Sequence, residues 1–479
     1  MKFCCIGSQF LKFSFLITLN LCVFFLWACS KNNSDQTSVL NNEQSVDESL
    51  GSHLNLDTAK PNVIIIFTDD YGYQDLGILG FDESVQTPNL DQLAREGTLF
   101  TNAYVTAPQC VPSRSALLTG INSAKVGVET NLDAPLPLEA VTIAEKIKER
   151  GYVTGFSGKW HLNDINGKLD EDLYWPWNQG FDEYLVGYLQ TYTASHDLAG
   201  NSIGHGQVKD DRFRIEIQTD FALQFIERNV DKPFFLYLPY FGPHVPIDDV
   251  TEKYLSRFSS ALDPTRRKGL AIIAAIDDGV GQVVKLLEDK GIRNNTLIFF
   301  LSDNGAPVKL AGGQVWNGSL NEPLYGEKGM LLDGGVRVPF IVSWKNKLLS
   351  GQTSGEMVSS LDIAATLNDY LGLEMASIDG ESLMPLLKGE QIKLDREYLY
   401  FKWLGQAAIQ SREYKYLYLG DGTEKVFDAQ QMSEVDNFIN EVDSSALRSS
   451  LDAWLTTTKR KGLPSSEDYV ESNFYRIYP

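Results

Sequence analysis

The stretch Pro61-Asn62-Val63-Ile64-Ile65-Ile66-Phe67-Thr68-Asp69-Asp70 decides the fold. Its β-branched and aromatic run has no polar alternation, which is the mark of a strand buried on both faces of a mostly parallel sheet. Two carboxylates follow at its carboxyl end, where ligands gather in open α/β sheets, so Asp69 and Asp70 read as cation ligands rather than a solvated turn. A second apolar run, over 296–301, ends in Ser302-Asp303-Asn304-Gly305, again with oxygen donors at a strand terminus. Asp69, Asp70, Asp303 and Asn304 make an all-oxygen set. Ca2+ is favoured, with Mg2+ possible, because the protein supplies most of the shell. A two-zinc centre would want several histidines, and none accompanies these segments.

Further strands are expected over 99–105, 152–156 and 234–238, and helices over 87–97, 138–150, 213–228 and 271–289. Residues 163–212 read as the least regular part, with Trp175, Trp177, Tyr184, Tyr188 and Tyr192 either stacking on a ligand or forming the segment's own core. His196 and His205 in the same segment carry no assigned role. The loop 306–325, with Gln314, Trp316 and Asn317, is expected to wall a pocket. After a helix at 362–367 the pattern changes to short alternating strands over 397–403, 407–410, 414–419 and 426–428, closed by a helix at 447–455. The expected fold is a large, mostly parallel α/β sheet flanked by helices over 60–375, with a smaller C-terminal α+β subdomain over 376–479 that carries an antiparallel sheet.

The chain begins differently. Lys2 and Lys12 precede an apolar run over 13–28, too short and wrongly flanked for a stable membrane span, so 1–29 reads as an export signal. It ends Leu26-Trp27-Ala28-Cys29, which resembles a bacterial lipobox; Cys29 would become a lipidated N-terminus, and a plain export signal is the alternative. Residues 30–59, rich in Asn, Ser, Asp and Gln, read as a flexible tether. Of the five cysteines, Cys4, Cys5 and Cys22 are expected to leave with the signal, so Cys110 remains without a disulfide partner.

Cys110 lies in Ala107-Pro108-Gln109-Cys110-Val111-Pro112-Ser113-Arg114-Ser115-Ala116-Leu117-Leu118-Thr119-Gly120. Pro112 and Ser113 suit the first helical positions, which puts Cys110 just ahead of a helix, with Arg114 one turn on. The formal charge of −21 argues against nucleic acid or an anionic membrane surface as partner. It does not exclude an anionic substrate, because screening over roughly 8 Å leaves the local site in control. Candidate local cations are Arg114, Lys159 in Gly158-Lys159-Trp160-His161-Leu162, and Lys328 in Gly326-Glu327-Lys328-Gly329. Small neighbours let Lys328 approach an anion closely. His244 is held in Gly242-Pro243-His244-Val245-Pro246, where proline on either side limits backbone freedom.

Cys-x-Pro-Ser-Arg followed by Leu-x-x-Gly resembles the site at which formylglycine-dependent sulfatases of the alkaline phosphatase superfamily oxidise a cysteine to an aldehyde. The segments at Asp69-Asp70, Lys159-Trp160-His161, Pro243-His244-Val245-Pro246, Asp303-Asn304 and Lys328 resemble the other core segments of that family. Asn163 stands where the family usually has glycine. The resemblance spans 61–389, with a weaker echo from Val426-Phe427-Asp428 to Asn437. It implies a sulfuric ester hydrolase with Cys110 converted to 3-oxoalanine (formylglycine) by a host maturation enzyme and added to the metal shell. By the same resemblance Arg114, Lys159 and Lys328 hold sulfate, His244 helped by Lys328 protonates the departing alcohol, and His161 takes the proton that restores the aldehyde. A sulfated carbohydrate is the expected substrate, and an N-terminal lipid the expected membrane contact. A phosphonate or phosphodiester hydrolase of the same superfamily remains open, as does a glycan-binding lipoprotein with unmatured Cys110.

Overall fold

The computed structural model describes residues 60–164, 171–308, 315–432, 434 and 440–465. The expected export signal with Cys29, the tether, Gln314 and Asn437 lie outside them. Strand β1 (Asn62–Asp69) forms where the apolar run places it. Val63, Ile65 and Phe67 enter one core, and Ile64 and Ile66 enter the other. All five are fully buried, each worth about 1.5–3 kcal/mol over exposure.

Among the described residues the main sheet has ten strands. After β1 come β2 (Thr98–Tyr104), β3 (Val153–Gly158), β4 (Glu183–Tyr188), β5 (Thr191–His196) and β6 (Ser202–Lys209). They are followed by β7 (Phe234–Pro243), β8 (Thr296–Ser302), β9 (Phe340–Ser343) and β10 (Gln352–Ser359). Their spatial order is β10-β2-β9-β8-β1-β7-β3-β4-β5-β6. The central strands β8, β1, β7, β3 and β4 pair in parallel, so their carboxyl ends share one edge. β9 runs antiparallel to both β8 and β2, which turns the end of β2 to that same edge. The helices Arg214–Arg228 and Pro264–Asp289 cover one face of the sheet, and Ile143–Glu149 and Leu361–Leu371 cover the other.

Three expectations need correction. Within the segment expected to be least regular, residues 183–209 are regular: β4, β5 and β6 extend the sheet, with β5 antiparallel to both neighbours. The helix expected over 138–150 is only Ile143–Glu149, because Thr142 and Glu145 form a capping box that fixes its start. Cys110 does not precede its helix but opens it, over Cys110–Thr119, with Gln109 as N-cap. Ser113 N–H is the first to bond back, to the Gln109 carbonyl at 3.1 Å, so Pro112 sits in the turn where a missing N–H costs nothing.

The second sheet runs β11 (Leu399–Trp403), β12 (Gln406–Gln410), β13 (Tyr414–Leu419) and β14 (Glu424–Asp428), all antiparallel. It reaches the main sheet's carboxyl edge through buried side chains, Gln410 on the Tyr104 hydroxyl at 2.9 Å and Gln406 on the loop that carries Lys328. Gln406 accepts from Leu331 N–H at 3.0 Å and donates to the Gly329 carbonyl at 3.1 Å. Gly329 N–H in turn donates to the Pro108 carbonyl at 2.9 Å. The loop carrying Lys328 is thus tied both to this sheet and to the segment before Cys110. Gln406→Ala leaves two buried backbone groups unpaired, and the expected result is a fall of about 2–5 °C in the thermal midpoint with a parallel fall in turnover. Wild-type stability in that variant would show that the loop holds itself.

Candidate active site

Four neighbouring parallel strands, β8, β1, β7 and β3, deliver candidate residues at the same edge. β1 ends at Asp69 with Asp70 following, and β8 ends just before Asp303 and Asn304. β3 ends just before Lys159, and β7 just before His244. Reaching the site from β3 requires the chain to turn. Gly158 supplies that turn at φ 139°, where a Cβ would come within 2.0 Å of the Pro239 carbonyl oxygen. His161 also sits at positive φ, 60°, and this brings a lysine and a histidine two residues apart into one neighbourhood.

Carboxylates and cations interleave around Cys110. Lys159 Nζ lies 2.7 Å from Asp69 Oδ2, Lys328 Nζ 2.7 Å from Asp70 Oδ1, and Arg114 Nη2 2.7 Å from Asp303 Oδ2. The Cys110 Sγ–H donates to Asp69 Oδ1 at 3.3 Å, and Lys328 Nζ donates to Cys110 Sγ at 3.4 Å. Arg114 also donates from Nη1 to the Lys159 carbonyl at 3.0 Å. His244 Nε2 stands 3.7 Å from Asp70 Oδ2, while its Nδ1–H donates to the Val245 carbonyl at 2.6 Å. Asp69, Asp70, Cys110 and Asp303 are buried and each offers an atom within 4.8 Å of the others.

The charges act strongly on one another. Burial pushes the Asp69 carboxyl up, but Lys159, His244, Arg114 and Lys328 outweigh it and hold it well below the usual carboxylate range. Burial and the like charge of Asp69 push Asp303 up to about 7, against Arg114. Burial followed by Asp303 drives the Cys110 thiol upward, against Lys159 and Lys328. The helix start therefore does not yield a thiolate, because the carboxylates and the missing water win. Burial, then Lys159 and Arg114, push His161 down to about 2. It is a neutral imidazole, and its buried Nδ1 has no hydrogen-bond partner.

The oxygen set fits a hard cation. Asn304 Oδ1 is buried without a partner, while its Nδ2 donates to Asp70 Oδ1 at 2.7 Å. An orphaned carbonyl oxygen beside three converging carboxylates is what a metal ligand looks like before its ion is counted. Asn317, expected to wall a pocket, is fully buried and instead donates to the Asp70 carbonyl at 2.9 Å. Trp175, Trp177 and Tyr184 pack on one another, Trp175 on Trp177 at 5.5 Å and Trp177 on Tyr184 at 4.9 Å, and Tyr192 is buried with Leu185, Ala194 and Phe221. His205 bonds the Tyr184 hydroxyl at 2.8 Å, and His196 bonds Ser195 Oγ at 3.0 Å. These histidines bond within the extension rather than to the groups around Cys110.

Sequence reasoning missed Arg214, Phe241 and Gln406. Arg214 reads as an ordinary helix residue and Phe241 lies beyond the strand expected over 234–238, and only the tertiary packing shows what they touch.

Comparison with known proteins places the chain in a family. Residues 61–373 match the family described as Sulfatase, and residues 322–461 match that described as N-sulphoglucosamine sulphohydrolase, C-terminal. The dog N-acetylgalactosamine-6-sulfatase is 33% identical over 392 residues, covering 74% of this chain and 71% of the relative. Human arylsulfatase A is 32% identical over 401 residues, covering 76% of each. The solved structure of Ps i-CgsB in complex with k-i-k-neocarrahexaose superposes with a TM-score of 0.74 at 27% identity, covering 87% of this chain and 98% of that one. The chain belongs to the sulfatase family and is a sulfuric ester hydrolase.

Proposed function

We propose that this sulfatase removes sulfate from sulfated carbohydrate, with Cys110 converted to formylglycine and a divalent cation, Ca2+ by the donor set, held by Asp69, Asp70, residue 110, Asp303 and Asn304. The observation that carries the reading is the three-against-three interleaving of cations and carboxylates around a buried cysteine. When bound, the cation would neutralise sulfate oxygens and acidify an attacking hydroxyl. The hydrated aldehyde would offer two hydroxyls, one to attack sulfur and one whose proton loss restores the aldehyde.

Arg114, Lys159 and Lys328 each lie against one of the carboxylates that would hold the cation. With those carboxylates turned to a cation, the same side chains face the sulfate, each donor contributing about 3 kcal/mol to the transition state. His244 exchanges its proton at Nε2, since Nδ1–H is engaged by the Val245 carbonyl, and it protonates the departing alcohol with help from Lys328. Neutral His161 accepts the proton that leaves the second hydroxyl.

Support for carbohydrate comes from relatives named for an N-acetylgalactosamine ester and a neighbour solved with a neocarrahexaose. The proposal extends to the chain's organisation: an export signal over 1–29 with Cys29 lipidated, a tether over 30–59, a catalytic region over 60–375 and a subdomain over 376–479. Among the described residues no helix is long and apolar enough to cross a membrane, and a lipid on Cys29 would be the membrane contact. The other partner is a host maturation enzyme; nucleic acid is not one.

The test is sulfate release from sulfated mono- and oligosaccharides of glycosaminoglycan and algal type, using matured protein with Ca2+. Release from one sulfate position is the expected result. Turnover confined to aryl sulfates or phosphonate esters would end the carbohydrate reading. An active preparation that a formylglycine-reactive hydrazide fails to label would end the nucleophile assignment.

A further inference from the structure

Arg214 is the first residue of the helix Arg214–Arg228 and is 1% exposed. A cation there opposes the helix dipole and is desolvated, so its place needs a reason beyond the helix. Its contacts supply one. Nε donates to the Phe241 carbonyl at 2.7 Å, Nη2 donates to the His244 carbonyl at 2.8 Å, and Nη1 lies 2.5 Å from Asp249 Oδ1. One turn along the helix, Gln218 Oε1 accepts the Phe241 N–H at 3.1 Å. The backbone over 241–244 is therefore gripped on both sides by one helix, while His244 N–H donates to the Asp69 carbonyl at 3.1 Å.

The Phe241 ring completes the arrangement. The Arg214 guanidinium lies 5.6 Å from the ring centroid and Lys159 Nζ 4.8 Å from it, so the ring's electron-rich faces receive both cations. The His244 ring stands edge-on to it, at 5.4 Å and 85°. Phe241 thus touches both Lys159 and His244.

We infer that Arg214 and Phe241 are positioning residues for the leaving-group side of the reaction: they fix the His244 imidazole relative to Lys159 and to the oxygen that departs. The inference rests on His244 acting as proton donor, as proposed above. A side chain that merely satisfied two carbonyls would affect every substrate alike. One that aims a proton donor matters most when the leaving group most needs the proton.

The experiment measures kcat for a series of substituted phenyl sulfates whose phenols differ in acidity, in wild type, His244→Ala, Phe241→Leu and Arg214→Lys. Leucine keeps an apolar filler without the ring, and lysine keeps the charge without the two-armed fork. General acid catalysis contributes about 10²–10⁴-fold, so partial misplacement is expected to cost about 30-fold on the least acidic phenol and under about 3-fold on the most acidic. His244→Ala should steepen the same dependence further. A uniform loss, or none, in Phe241→Leu and Arg214→Lys while His244→Ala steepens would overturn the positioning role and leave the proton donor standing. No steepening in His244→Ala would remove the proton donor and this inference with it. A crystal structure of Phe241→Leu gives a readout independent of rate: the His244 ring is expected to leave its place, and a ring whose Nε2 still lies 3.7 Å from Asp70 Oδ2 would overturn the role of the ring.

Discussion

Cys110→Ala releases no measurable sulfate from any ester that the matured protein hydrolyses, a loss of more than about 10⁴-fold in kcat, while the fold survives. The loss is this large because nothing else in the site can replace the group. The groups that touch Cys110 Sγ are Asp69 and Lys328, and each is also engaged in an ion pair. The fold survives because alanine keeps the helix start and removes one buried sulfur, at a cost of about 1 kcal/mol. Cys110→Ser separates two explanations. A serine hydroxyl can attack once but has no second hydroxyl to expel the sulfate, so it is expected to give at most a single turnover. The unmodified thiol is no alternative nucleophile, since burial and Asp303 push its ionisation upward. Steady turnover by Cys110→Ser, with about one sulfate released per enzyme each cycle, would overturn the geminal-hydroxyl mechanism.

How much of this was legible in the chain depends on how locally each feature is encoded. β1 and β8 are unbroken apolar runs of the length of one strand, and the carboxylates at their ends follow from sequence adjacency. The Lys159 and His161 pair was legible as residue types, but its convergence depends on two positive φ angles, at Gly158 and His161, and only the glycine signals one. β5, Thr191-Tyr192-Thr193-Ala194-Ser195-His196, hid because its buried residues are a tyrosine, an alanine and a serine rather than a clear apolar series. The helix Pro264–Asp289 begins seven residues before the apolar periodicity, yet Asp263 and Pro264 are a plain start signal, and Asp263 accepts from both Thr265 and Arg266 N–H. Arg214 and Gln406 carry no local signal at all. Each bonds to backbone 27 to 77 residues away, so only the assembled edge of the sheet gives them meaning.

Adding Ca2+ to chelator-treated protein raises its stability by about 2.7 kcal/mol at a hundred times the dissociation constant, and removing the cation lowers turnover by more than about 100-fold. The electrostatics give this prediction a direction in pH. Asp303 is raised to about 7 by burial and by Asp69, above its value in the unfolded chain. In the metal-free protein this carboxyl alone therefore makes stability fall as pH rises from about 4 through 7, because the folded state holds the proton longer. A cation takes the place of that proton. Ca2+ affinity should then weaken about tenfold per unit as pH falls below 7, and level off above it. Asp69, held well below the usual carboxylate range, stays ionised across this window and adds no slope. Asp303→Asn removes the competing proton along with a ligand charge: it should bind Ca2+ more weakly at pH 8 and lose the pH dependence. Its fold should weaken too, since Arg114 would be left buried beside a neutral partner. Calorimetric titration at pH 5.5, 6.5 and 7.5 distinguishes the cases. A wild-type affinity that does not change over that range would mean that no proton is displaced, and that Arg114 already keeps Asp303 ionised before the cation binds.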